Sequence, residues 1–409
     1  MGNMIGSGVF LLPASLAPLG WNAIFGWMIT IGGSVALALS IAHLAKKFSG
    51  MGGLIGILQN AFGRAPAAVL GWSAWVGFWT ANATLAVAAV SYLGDWIPVL
   101  HAFPAISAIA LVWLITGLSL FGLRPASLFQ NVTMILKLVP LIAVFIVALV
   151  VLGTPGNASP APFDATEISV PSMGLAVTLT LWAMIGFEAA AFAEDAFERP
   201  AFTIPAATII GTVATGVIYL CVCSAIQLLS DPAELAGSAA PFSYFIDRFW
   251  PSGPGHVVGL FAAIAAIGAL NGWTIVTGEL PRSMARGGML PRWFAGSLSN
   301  GAPRNALVLG AVCASVVLIF NASKSTAGLF TFMALLSTCA ALWVYLACAV
   351  AAIRQRLGMV SGLVGTAFGA WAMWSAGYEA SLLSFVLMAS GVPLYWLARR
   401  KTQSAEQGV

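Results

Sequence analysis

Two charges stand in apolar surroundings: Lys137 in Met134-Ile135-Leu136-Lys137-Leu138-Val139-Pro140, and Glu188 at the end of Leu181-Trp182-Ala183-Met184-Ile185-Gly186-Phe187-Glu188. A charge at mid-membrane is costly unless it is paired, hydrated or put to a task. A helix-breaking run also stands out: Gly2, Gly6, Ser7 and Gly8 fall within seven positions. Each such glycine weakens a helix by about 1 kcal/mol relative to Ala. Where a helix is interrupted, the N–H groups after the break suit a carboxylate and the carbonyls before it suit an ammonium. Trp182 and Trp273 lie well inside apolar runs, where an indole face can meet a cationic head group, and Asn82 places an amide in another such run. This is the chemistry of holding a charged solute. No His/Asp/Ser constellation, metal spacing or phosphate loop points to catalysis, and the three histidines are scattered. The five cysteines lie in apolar runs and read as packing, with Cys221 and Cys223 too poorly aligned on a helix to share a metal. The expectation is therefore a binding protein without metal, cofactor or nucleic acid.

The elements that position these residues follow from composition. Hydrophobic residues make up 60% of the chain and charged residues only 7%, against about 25% charged in a soluble domain. Residues 65–94, 96–123, 200–230, 249–278 and 325–353 carry no Asp, Glu, Lys or Arg. A bilayer core takes roughly 20 apolar residues as a helix, and its dryness demands that backbone groups bond within the segment. The absence of a period-2 pattern argues against a membrane barrel. Spans are expected at 4–19, 23–44, 69–92, 105–121, 134–152, 175–192, 206–228, 257–278, 307–320, 329–351, 360–374 and 382–397. With the N-terminus cytoplasmic, the basic residues fall almost wholly on the inner side, leaving Arg248 and Lys324 outside and Lys137 within a span. That asymmetry supports the orientation, both termini being cytoplasmic. The loop at 154–171 is expected to be extended and periplasmic, and the tail at 402–409 disordered. Trp21, Trp96, Trp250 and Trp293 sit at span ends as interfacial anchors.

The breaks at Gly6-Ser7-Gly8 and Ile185-Gly186 fall in spans one and six, the offset of a five-span repeat. Small residues also serve close helix packing, but matched breaks in the two halves mark the midplane site of a secondary transporter working by alternating access. A channel would show charge rings or filter-like carbonyl repeats, and neither is present.

At these residues the sequence resembles the amino acid–polyamine–organocation superfamily, and within it the bacterial arginine/agmatine antiporters. Asn3-Met4-Ile5-Gly6-Ser7-Gly8-Val9-Phe10-Leu11-Leu12-Pro13 is similar to the family's first span, and Leu181-Trp182 with Ile185-Gly186-Phe187-Glu188 to its sixth. Gly272-Trp273-Thr274, Gly288-Met289-Leu290-Pro291 and Glu198-Arg199-Pro200 continue the likeness over nearly the whole chain. The resemblance implies an all-α membrane protein of LeuT-type fold: inverted five-helix repeats at 1–153 and 172–353, then two C-terminal spans at 354–401. It implies substrate contacts from Asn3, Ile5, Ser7, Gly8, Asn82, Trp182, Ala183, Ile185 and Trp273, with the Ser7 and Gly8 amides for a carboxylate and the carbonyls of Trp182, Ala183 and Ile185 for an ammonium. Glu188 becomes a gate and proton-sensitive group. Lys137 ties spans one and eight together in place of a sodium ion. Ser337 stands as the candidate for a tenth-span serine. Exchange of an amino acid for its amine derivative across a bacterial inner membrane follows, with protons as co-substrates and a homodimer as assembly. Proton-coupled symport of neutral amino acids is the alternative.

Three departures bear on this. The half-helix that normally precedes Gly2 is missing, so the first span is expected to be truncated and Met1 internal. Lys137 is foreign to the arginine/agmatine antiporters. The outer-gate aromatic of span three falls on Ala74, with Trp75 as its neighbour.

Overall fold

The computed structural model describes residues 4–6, 8–51, 53–121, 136–154, 156, 158, 160–188, 199–250 and 254–406, with the backbone alone at 200 and 401–406. Among the described residues the chain is helical and has no strand. The principal helices are α1 (Gly8–Leu16), α2 (Trp21–Lys47), α3 (Arg64–Leu93), α4 (Pro104–Leu120), α5 (Leu138–Gly153), α6 (Val170–Met184), α7 (Pro200–Leu229), α8 (Gly255–Arg286), α9 (Arg304–Phe320), α10 (Thr326–Arg354), α11 (Met359–Ser375), α12 (Tyr378–Ala389) and α13 (Gly391–Glu406). Shorter helices at Gly53–Phe62, Pro232–Gly237 and Pro241–Phe249 fill loops that the sequence reading left unassigned.

Among the described residues, six helical stretches are long and apolar enough to cross a bilayer: α2, α3, α8, α10, Ala201–Leu229 of α7, and Tyr378–Arg400, which joins α12 to α13. The first expected span shrinks to α1 and a 3-10 turn, Ala17–Leu19. The last expected span is interrupted at Ser390, because Pro393 has no N–H for the carbonyl four residues back and its ring crowds that carbonyl. The tail corrects another expectation: α13 stays helical through Glu406 instead of ending near 401.

The centre of the molecule is α3, buried along nearly its whole length and packed between α8 and α10. Its contact with α10 is made by small and hydroxyl residues. Ser73 donates to Ala340 O at 2.8 Å, and Ser337 donates to Gly77 O at 3.0 Å. Such contacts suit helices in lipid, where close backbone approach and interhelical bonds replace the hydrophobic drive. Phe121, Phe202, Phe320 and Trp374 lie on the outer surface, as an apolar solvent allows.

The loop at 154–171 is tied down as well as extended. Trp21 Nε1 donates to Pro162 O at 3.0 Å, and Asn22 both donates to Glu167 O and accepts from Ser169 N. Asp164 accepts from the Thr166 amide and hydroxyl, which holds its carboxyl below the usual range. Ser169 then caps the first turn of α6 through Ser172 N, with Pro171 pre-set for that turn. This anchoring fixes where α6 begins, and therefore where it ends.

Candidate functional site

Two half-helices end at one place in the interior. α1 begins at Gly8, so the amides of its first turn face back toward residues 4–6; α6 ends at Met184, so its last carbonyls face forward. The Ile185 N–H still donates to Leu181 O at 3.1 Å and Trp182 O at 3.2 Å, and the ladder then stops. Gly186 takes φ +118°, a conformation open to glycine and strained for other residues. The positive end of one dipole and the negative end of the other thus converge.

Between them lies a cavity of about 20 Å³, room for roughly one water. Met4, Gly6 and Gly8 form one wall; Trp182, Ala183 and Ile185 form another; Ala81, Leu85 and Trp273 close it. No charged side chain lines it among the described residues. A Cβ on Gly8 would stand 2.7 Å from Trp182 Cζ3 and 3.1 Å from Ala183 Cα. Glycine lets α1 lie this close on α6, since a methyl would meet the Trp182 ring first and the Ala183 backbone next.

The aromatics are held from behind. Trp182 meets Phe330 of α10 edge-on at 5.3 Å, and Trp273 leans on Phe78 of α3 at 5.1 Å. Asn82 Nδ2 donates to Thr277 Oγ1 at 3.1 Å, and Thr277 Oγ1 donates to Trp273 O at 2.8 Å. Asn82 Oδ1 is buried with no partner among the described residues. Asn82 is therefore pinned to α8 with its acceptor unused. Its neighbour Ala81 is on the cavity wall, and Ile5 is buried between wall residues Met4 and Gly6. Asn3 and Ser7, both expected substrate contacts, lie outside the described residues.

Glu188 is buried and folds back on its own break, accepting from Gly186 N at 2.9 Å. Phe187 beside it stacks at a tilt on Tyr345 of α10, 5.0 Å between centroids. Lys137 is buried in the turn that precedes α5, a helix that packs on α7, α8 and Pro241–Phe249. Ser337 serves the α3–α10 contact and is not on the cavity wall. Trp75 donates to Thr277 O at 2.9 Å and packs against Trp72 and Phe294, the latter in the Arg292–Ala295 turn. That turn lies among the basic residues Arg286, Arg292 and Arg304, at the end that the charge reading expects to be cytoplasmic.

The sequence reading passed over the groups that hold the first break. Tyr219 donates to Met4 O at 2.8 Å, and Tyr92 donates to Phe10 O at 2.7 Å. Phe242 N donates in turn to the Tyr92 oxygen at 3.3 Å. Only six tyrosines occur in the chain, and Tyr92, Tyr219 and Tyr345 are buried in helices at the two breaks. Their rarity in otherwise apolar runs was the available signal.

Comparison with known proteins gives the family. The chain matches the family described as amino acid permease over residues 1–404. A protein of Escherichia coli strain K12 named cadaverine/lysine antiporter is 31% identical over 335 residues, 80% of this chain and 74% of its own. The putrescine transporter PotE of Haemophilus influenzae is 27% identical over 97% of this chain and 94% of its own. The E. coli PotE is 26% identical over 97% and 93%.

Proposed function

The chain belongs to the amino acid permease family, and from that premise we propose that it exchanges an amino acid for an amine derivative across a bacterial inner membrane. It is a multi-pass membrane transporter and not an enzyme. The observation that carries the exchange reading is the meeting of two opposed helix ends at a cavity walled by Trp182 and Trp273. An amino acid presents a carboxylate to the amides that open α1 and an ammonium to the carbonyls that close α6. A diamine lacks the carboxylate but keeps the cation, which the indole faces attract. One site therefore serves both partners of an exchange. The relatives' printed substrates, lysine, cadaverine and putrescine, support a linear cationic class that includes the arginine/agmatine pair without being limited to it.

Several finer assignments belong to the same proposal. Residues 1–153 and 172–353 form the two inverted repeats, both termini are cytoplasmic, and the protein works as a homodimer. Asn3, Ile5, Ser7, Gly8, Asn82, Trp182, Ala183, Ile185 and Trp273 contact substrate. Glu188 gates and responds to protons, and Lys137 couples the site to the scaffold, because neither charge would persist in apolar surroundings without a task.

The test is uptake of labelled substrate by proteoliposomes, empty or preloaded with lysine, cadaverine, putrescine, arginine, agmatine or a neutral amino acid. Exchange requires that uptake depend on an internal cationic partner. Uptake into empty vesicles driven by an imposed proton gradient, with neutral amino acids as the best substrates, would overturn antiport in favour of symport.

A further inference from the structure

A furrow of about 400 Å³ lies between α2 and α11, against about 20 Å³ for the central cavity. The two helices meet antiparallel along one line. Phe368 occupies the space beside Gly33, and Leu37 Cδ2 stands 3.0 Å from where a Cβ on Gly365 would be. Ser40 Oγ donates to Ser361 Oγ at 3.4 Å, and the His43 ring lies against Gly358. The furrow runs beside that line, with Gly32, Val35 and Leu39 on one wall and Val360 and Val364 on the other. Val360 and Val364 are exposed, and a Cβ on Gly32 would meet open space, so the furrow opens on the outer surface of the molecule. Its polar lining residues are His43 and Ser361, both at one end.

From Gly32 to His43 the helix rises about 16 Å. That is half of a hydrocarbon core of roughly 30 Å, the depth of one leaflet. The polar end of the furrow also carries positive charge. Lys46 and Lys47 close α2 one turn beyond His43, and Arg356 lies in the turn between α10 and α11, just before Gly358. All three are exposed, and among the described residues none pairs with a carboxylate. The sequence has no Asp or Glu at 1–94 or 280–378, so α2, α10 and α11 offer them none. Arg354 nearby donates to Ala61 O at 3.0 Å instead.

We propose that this furrow seats one acidic phospholipid from the leaflet at the basic end, with an acyl chain between α2 and α11 and the phosphate at His43, Lys46, Lys47 and Arg356. The apolar walls run the depth of a leaflet, a hydrogen-bonding imidazole stands at the head-group level, and cations stand beyond it. A chain held in the furrow places its head group among those cations, so binding needs both parts. A basic surface without a furrow attracts acidic membrane only loosely. A second copy of this chain fits less well. Across a two-fold axis the same patch faces itself. Lys46, Lys47 and Arg356 would then meet their like, a costly juxtaposition. Because α11 also packs on α6, the seated lipid bears on the helix that ends at the cavity, whichever solute the cavity takes.

Native mass spectrometry of the full chain, released from detergent with equal amounts of phosphatidylglycerol and phosphatidylcholine, counts the lipids retained. One phosphatidylglycerol per chain is expected to be held at least tenfold in preference, since each cation near a membrane surface contributes roughly fivefold. Equal retention of the two lipids overturns the proposal. Joint replacement of Lys46, Lys47 and Arg356 by Gln is expected to bring the preference below threefold, and a preference kept in full overturns it. Gly32→Phe fills the furrow and keeps the charges; it is expected to lower phosphatidylglycerol retention at least fivefold. Unchanged retention there means that surface charge alone holds the lipid, and overturns the furrow as its seat. If Gly32→Phe does not assemble, Val364→Phe fills the furrow from the other wall. A dimer that persists without lipid and separates in either variant shows a second copy in the furrow, which overturns the proposal as well.

Discussion

The two breaks are built differently. At the first, the carbonyls of Met4 and Phe10 are bonded by Tyr219 of α7 and Tyr92 of α3, side chains from separate helices. At the second, the Gly186 amide is bonded by Glu188, two residues along the same chain. Displacing the first break breaks bonds to two neighbours at once. The second carries its capping carboxylate with it when it moves, while the packing of Trp182 on Phe330 and the contact of Phe187 and Glu188 with Tyr345 change. The difference predicts that residues 4–10 stay with the scaffold and residues 184–188 move. Both have Gly at the turning point, so composition alone does not separate them.

The largest expected effect comes from forcing the two breaks apart. Gly8→Ala places a methyl against the Ala183 backbone. About 3 kcal/mol of overpacking, the upper end of the usual range, weakens substrate binding roughly a hundredfold in a direct binding assay on detergent-solubilised protein. Binding within threefold of wild type would show that α1 slides freely on α6. Trp273→Ala comes next, since a desolvated cation–π contact is worth about 2 kcal/mol. A roughly thirtyfold rise in Kd for a diamine, with the thermal midpoint in detergent held, is the expected result. Asn82→Ala, acting through Thr277, should cost less.

Glu188→Gln sharpens the comparison most directly. The amide oxygen can still accept from Gly186 N, so binding is retained, while loss of the titratable carboxylate slows exchange about tenfold, in the low range for a proton-transfer group, and flattens its pH dependence. Exchange at the wild-type rate from mildly acidic to mildly basic pH would make Glu188 structural. The smallest effect is expected of Tyr219→Phe and Tyr92→Phe, each removing one buried hydrogen bond worth about 0.5–1.5 kcal/mol. Thermal unfolding should register both losses, with Kd raised no more than roughly fivefold. A larger change in Kd than in stability would mean that the first break is the moving part.

Much of this was legible in the residues. Charge-free runs mark the spans because a dry solvent leaves the backbone no other choice, and Gly186 next to Glu188 marks the second break on grounds of cost alone. Helix ends were less legible where packing decides them. α13 persists past Lys401 although its sequence is polar, and the Ser390 interruption depends on how one proline meets one carbonyl. The tyrosine bonds could not be read at all. Met4 and Tyr219 are 215 residues apart, and their meeting depends on how α1 and α7 pack. The packing of Trp75 on Phe294 was out of reach for the same reason, since it depends on how the Arg292–Ala295 turn folds over α3.

A cavity of about 20 Å³ is far smaller than any amine it is proposed to take. A solute of that size must widen the space between walls that include Trp182 and Trp273. Flexibility then becomes a criterion of selection in its own right, alongside charge. A linear chain can thread and be enclosed; a rigid ring bearing the same cation can bind at the threshold but prevents the walls from meeting. Such a ring is the natural starting point for an inhibitor that arrests the carrier half-closed.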